Sequence, residues 1–192
     1  RARHGDEEAF VALYRDVQPR LLRYATVLVG REAAGDVTGE AWLQITRDLH
    51  RFTGDLDRFR GWAATIVHHR AMDLCRVDAR RPTVPLENDD ARPLRDRPRD
   101  DEDTAFSALD KMSTETALAL IATLPREQAQ AVLLRAVVGL DAPAAGEVLG
   151  KRAGAVRVAA HRGLKRLARQ VHYDAEEGRW TLVPPLPEPS AQ

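Results

Sequence analysis

Cysteine is nearly absent. Cys75 is the single one in 192 residues, which excludes an internal disulfide framework and any cysteine-rich zinc site and suits a small core position. Lysine is scarce too: Lys111, Lys151 and Lys165 are the only lysines among 29 basic residues, a coding bias from which no function is read. No run approaches the roughly 18 consecutive apolar residues of a membrane helix. The opening residues, Arg1 to Asp6, lack a starting Met and the apolar core of a secretory signal, so a trimmed N-terminus is expected; the lone cysteine fits a reducing cytoplasm. Neither a glycine-rich phosphate loop nor a nucleophile elbow occurs. Net charge is missing as well, with 29 basic against 29 acidic side chains. What remains, 44% apolar and 30% charged residues, is the composition of a soluble globular chain with one or two small domains.

The zero net charge conceals segregation. Residues 1–81 carry 14 basic and 12 acidic groups, net +2; residues 82–117 carry 5 and 10, net −5. Residues 118–172 carry 9 and 3, net +6, and 173–192 carry 1 and 4, net −3. Such asymmetry points to a polyanionic partner for the basic part.

Hydrophobic periodicity predicts helices throughout. Phe10, Leu13, Tyr14, Val17, Leu21, Tyr24 and Leu28 recur at three- and four-residue steps, one face of a long helix kinked at Pro19. Gly30 to Gly35 reads as a connector. Val37, Ala41, Ile45 and Leu49 define a second helix with Trp42 beside them, and Asp36, Glu40, Gln44 and Arg47 form its neighbouring stripe. Thr53-Gly54-Asp55 breaks the pattern, and a third helix is expected from about Trp62 to Arg80. Residues 82–112, with Pro82, Pro85, Pro93 and Pro98 among charged residues, read as a flexible acidic linker and a domain boundary.

Beyond the linker, Leu118, Ile121 and Leu124 form a short face ended by Pro125, and Val132 to Leu140 form another. Asp141 is a fitting N-cap for a short helix through Leu149. Gly150 then makes a turn into a last helix from about Gly154 to Val171. Short helix, tight turn and longer basic helix is the helix-turn-helix pattern. The tail, 173–192, holds four prolines from Pro184 to Pro189 and is expected to be extended or disordered, with Trp180, Leu182 and Val183 able to dock.

The strongest chemical signal lies in the last helix. Val156, Ala160, Leu164 and Leu167 form its buried stripe, while Lys151, Arg152, Arg157, Arg162, Lys165, Arg166 and Arg169 supply seven cations with no acid between Gly150 and Gln170. A helix of this width fits the major groove, where arginine pairs with guanine and other cations meet phosphate; the plain alternative is a solvated basic face. A second candidate surface lies on the third helix, where His69, Asp73, Arg76 and Arg80 step along one face with Arg70 alongside. Arg58, Phe59 and Arg60, in or near a loop, place an aromatic between two cations, suited to unstacked bases and phosphates. An ordinary helix with surface ion pairs, Asp73 to Arg70 or Arg76, accounts for the same residues. Asp36 and Glu40 have no nucleophile or metal-ligand cluster nearby. His68 and His69 diverge by about 100° on a helix, and His69 with Asp73 is an incomplete ligand pair. No catalysis, metal or cofactor is expected.

Taken together, the two blocks resemble the bacterial extracytoplasmic-function (ECF) RNA polymerase sigma factors. The segments GDEEAFVALYRDVQPRLLRYA, GDVTGEAWLQITRDLHRF and FRGWAATIVHHRAMDLCR resemble region two of that family. LPREQAQAVLLRAVVGL, GEVLG and GAVRVAAHRGLKRL resemble region four. The resemblance implies an all-α fold: a region-two-like helical domain over 1–81, the linker over 82–112, and a region-four-like helix-turn-helix domain over 113–172. It implies a non-enzymatic alternative sigma factor that binds core RNA polymerase (β′ clamp, β flap) and promoter DNA, melts the −10 element and is restrained by an anti-sigma protein. Asp36 and Glu40 match polymerase-docking positions. The loop from Asp55 to Gly61, with His69, Arg70, Asp73 and Arg76, matches the −10-binding segment, and Arg157, Val158, His161 and Arg162 match −35-reading positions. Gly39, His69, Val158, Ala159, Ala145 and Gly146 depart from common family residues, and Gly146 is expected to leave its helix marginal at about 1 kcal/mol against Ala. Two rival readings follow from the residues: a helix-turn-helix regulator acting without polymerase, and a helical adaptor whose basic helix meets protein.

Overall fold

The computed structural model describes residues 1–80, 114–174 and 179–182. The expected linker, 82–112, lies outside the described residues. Helix α1 spans Glu7–Asp48, entered through Asp6, whose carboxylate accepts from the Ala9 backbone N–H at 2.9 Å, with Glu7 and Glu8 following where the helix dipole favours negative charge. α1 bends sharply at one residue, Gly30, with φ 83° and ψ 164°. The connector anticipated over Gly30 to Gly35 is therefore a single residue, and the chain is helical again from 31 onward, where Ala33 and Ala34 favour it. Pro19 keeps helical geometry, so the expected kink is absent there; Val17, Leu21 and Tyr24, all fully buried around it, hold the helix through the missing hydrogen bond.

Helix α2, Leu56–Arg80, starts six residues before the expected Trp62. The cause is Asp55: its carboxylate accepts from the Arg58 N–H at 2.9 Å, making a helix cap of what reads as a breaker. The anticipated stripe Val37, Ala41, Ile45 and Leu49 is buried against α2. Trp42 joins it and donates to the Gln18 Oε1 at 2.6 Å. Cys75 is half-buried beside the Leu28 carbonyl.

The second body comprises α3 (Thr114–Ala122), α4 (Arg126–Val132), α5 (Ala142–Leu149) and α6 (Ala153–Ala168). α4 runs on as a π-helical stretch over Leu133–Val138 and stops at Gly139, φ 84°. Val132, Leu133, Leu134, Val138, Val156, Leu164 and Leu167 make its core. α6 ends at Ala168 rather than Val171. From there the chain forms a two-stranded antiparallel hairpin, β1 (Val171–Asp174) and β2 (Arg179–Leu182), with Val171 opposite Leu182 and Tyr173 opposite Trp180. That hairpin corrects the tail reading for these residues; both bodies are otherwise all-α, as expected.

The two bodies pack on each other. α2 lies against α5, where Gly61 faces Ala144 and Leu140. Arg20 donates to the Val137 carbonyl at 3.4 Å, and Arg31 pairs with Glu115 at 3.2 Å.

Candidate nucleic-acid interface

Three exposed surfaces emerge. The first lies on α1 after Gly30. With Ala34, Val37, Ala41 and Ile45 buried, Asp36 and Glu40 are carried outward on the opposite face. Glu40 accepts from Arg70 at 3.1 Å, and Gln44 accepts from the same guanidinium at 3.2 Å. Leu43 stands beside them with 69% of its surface exposed. Sequence reasoning passed over Leu43, although its step of three from Glu40 marks it as outward-facing. An acidic stripe with an unburied leucine is suited to a protein partner that offers cations around an apolar contact.

The second surface is α2. His69, Arg70, Asp73 and Arg76 are all exposed along it, with Arg76 paired to Asp73 at 2.9 Å. The Arg58-Phe59-Arg60 reading needs correction. These residues are helical, and Phe59 is only 2% exposed, edge-on to Phe52 at 5.4 Å and to Trp62 at 5.7 Å. It is a core residue here and presents no face to a base. Arg60 turns inward to Asp16 at 2.8 Å and to Asp57 at 3.0 Å, its side chain 17% exposed. Arg58 alone of the three stays exposed. The aromatics that do reach the surface of this corner are Phe52 and Trp62, half-buried and stacked at 5.2 Å with 25° between their planes.

The inner side of α2 carries a different group. His68 Nδ1 and the Tyr24 hydroxyl are hydrogen-bonded at 2.8 Å. Burial first, then His69 and Arg126, push the His68 imidazole down to about 4, so it is neutral at ordinary pH. Burial likewise raises the Tyr24 phenol. The charge of Arg126, from the second body, acts on both groups, and its guanidinium touches Met72.

The third surface is the α5–α6 unit. Asp141 caps α5, accepting from the Ala144 N–H at 2.8 Å, and Gly150 closes it at φ 63°. Gly146 has a use that helix propensity hides: a Cβ there would lie 2.5 Å from the Lys151 carbonyl oxygen, and the Lys151 N–H donates to the Gly146 carbonyl at 2.9 Å. The glycine lets the turn fold back on its own helix. Val156, Ala160, Leu164 and Leu167 are buried as expected. Lys151, Arg152, Arg157, Val158, Lys165 and Arg166 are exposed, while His161 and Arg162 are half-buried between them. Lys151 is paired with Glu127 of α4. Among the described residues no group of three or more His, Cys, Asp or Glu side chains is placed to hold a metal ion.

A cation-lined helix seated on a turn of this geometry, joined to a helical body with an outward acidic stripe, narrows the comparison. Residues 13–81 match the family described as Sigma-70 region 2, and residues 114–167 match Sigma-70, region 4. The chain belongs to the ECF sigma factors. Within this family it is 33% identical over 173 residues to the ECF RNA polymerase sigma factor ShbA of Streptomyces griseus, covering 87% of this chain and 90% of that one. It is 30% identical to BldN of Streptomyces coelicolor, over 91% of this chain and 65% of BldN. SigD of Mycobacterium tuberculosis is also 30% identical, over 87% of this chain and 79% of SigD. Among solved structures, CnrH in complex with the cytosolic domain of CnrY shares the fold at a TM-score of 0.57 and 22% identity, over 88% and 90% of the two chains. ECF sigma factors direct transcription from promoters, and this one is an alternative sigma factor of that kind. No helix among the described residues is long and apolar enough to cross a membrane.

Proposed function

We propose that this sigma factor binds core RNA polymerase through the Asp36–Glu40 stripe with Leu43, and holds a promoter at two separate places. α2, through His69, Arg70, Asp73, Arg76 and Arg58, meets the −10 element. The α5–α6 unit meets the −35 element through Lys151, Arg152, Arg157, Val158, His161, Arg162, Lys165 and Arg166. The observation carrying this reading is the placement of cations around α6: its core side is sealed, and every cation it offers lies on the remaining surface.

Each contact alone is modest, and tethering makes the second contact intramolecular once the first forms. Opening the −10 element costs a few kcal/mol per unstacked base step. With Phe59 buried, the half-exposed Phe52–Trp62 pair is the aromatic group placed to receive a displaced base, with Arg58 beside it. The protein acts as a binding and positioning subunit in the cytoplasm, and the catalytic steps are those of the polymerase. As in its family, an anti-sigma protein restrains it.

In vitro transcription with core polymerase on a pooled promoter library tests this. Run-off products that depend on the chain, and are lost with Asp36→Lys plus Glu40→Lys while the fold is kept, are expected. A discrete footprint by the chain alone, with no transcript when core is added, overturns it in favour of an operator-binding regulator.

A further inference from the structure

α6 carries cations on its flanks, yet the pole of its outward side is apolar where the helix begins. Val158 lies nine residues before Leu167, about 180° around the helix at 3.6 residues per turn. It therefore points directly away from the buried stripe and is 47% exposed. The residues one turn before it, Gly154 and Ala155, are exposed as well. Arg157 lies about 100° to one side, and His161 and Arg162 come one turn later. In a helix-turn-helix the N-terminal residues of the second helix approach base edges. Here that part of the helix presents no hydrogen-bonding side chain along its pole.

The chemistry of the major groove then restricts what can be read. Guanine, adenine and cytosine offer hydrogen-bond donors and acceptors there, and only thymine offers an apolar group, its 5-methyl. A valine pressed on a donor or acceptor would strip it of water without replacing the hydrogen bond. We infer that Val158 is a specificity-determining residue that packs on the methyl group of a thymine in the −35 element. This inference rests on the −35 reading above and refines it: arginines and lysines fix the helix on the backbone, and sequence preference at this step comes from a methyl–isopropyl contact.

The test uses the full chain with core polymerase. Duplexes selected from a library randomised in the upstream element are remade with deoxyuridine at each selected thymine in turn, which removes one methyl group and leaves every hydrogen-bonding atom in place. At one thymine, loss of the methyl is expected to weaken binding about fourfold, the worth of one buried carbon. In Val158→Ala that thymine-to-deoxyuridine ratio should fall toward one, because the apposed surface is gone. Arg157→Ala should weaken both duplexes alike and keep the ratio. Deoxyuridine tolerated at every position, or the same fourfold loss persisting in Val158→Ala, overturns the inference while the sigma-factor reading stands. Transcription without any selected upstream element would overturn the −35 reading itself, and Val158 with it.

Discussion

Gly146→Ala separates helix propensity from packing. By propensity alone, alanine within α5 should gain up to about 1 kcal/mol. In the structure the added Cβ would sit 2.5 Å from the Lys151 carbonyl oxygen. That oxygen belongs to the backbone of a turn pinned on one side by the Lys151 N–H to Gly146 carbonyl bond and on the other by Gly150 in its left-handed conformation. Neither side yields without opening the turn, and overpacking of this kind costs roughly 1–3 kcal/mol. After subtracting the full propensity gain, the net effect is a loss of up to about 2 kcal/mol. For a chain of this size that lowers Tm by up to about 8 °C. Gly39→Ala is the matched control: Gly39 is exposed in α1 with nothing within 4 Å of its added Cβ, so the same substitution should raise Tm by about 2–4 °C. Differential scanning calorimetry of the two variants reads both signs. If Gly146→Ala melts above the parent temperature as Gly39→Ala does, the close approach in the turn is wrong.

Two further outcomes follow from the charges. His68 is held neutral by burial, His69 and Arg126, so its folded pKa of about 4 lies below the ordinary 6.5. The unfolded chain binds the proton more readily, and the stability that His68 contributes is fully present above about pH 6.5 and lost as pH falls toward 4. With solvent screening of a partly exposed ring, the loss is about 1–2 kcal/mol; His68→Gln should flatten that part of a melting-against-pH curve, and an unchanged slope would refute the assignment. Arg157→Ala should reduce the salt dependence of promoter binding by about one counterion, seen as a slope change of ~0.9 in log K against log salt. No slope change would mean that Arg157 meets no phosphate.

The faces of the helices were legible in the sequence, because burial repeats at short spacing: Val37, Ala41, Ile45 and Leu49 need no tertiary knowledge to align. The helix-turn-helix was legible for the same reason, through Asp141, Gly150 and the basic periodicity. Arg60 was misread because its partner, Asp16, is 44 residues away, so its inward turn leaves no local trace. Phe59 was misread with it, since an aromatic between arginines looks exposed until Phe52 and Trp62 are seen to enclose it. Asp55 shows the opposite difficulty, because one residue type both caps helices and breaks them. Gly30 and Gly35 look equivalent in sequence, yet only Gly30 takes a positive φ. The hairpin was hidden by the prolines that follow it. The packing of the two bodies left no periodic signal, because it joins segments on either side of residues 81–113.

That packing has a price at the promoter. Two separate promoter elements lie apart along a duplex that lengthens by about 3.4 Å per step, whereas Gly61 and Ala144 are neighbours. A molecule stretched across both elements must uncover the flank where Gly61 now faces Leu140 and Ala144. Whatever keeps the extended form soluble has to supply a replacement roof for that flank, so the enzyme surface that receives this subunit should offer a greasy patch there as well as charge.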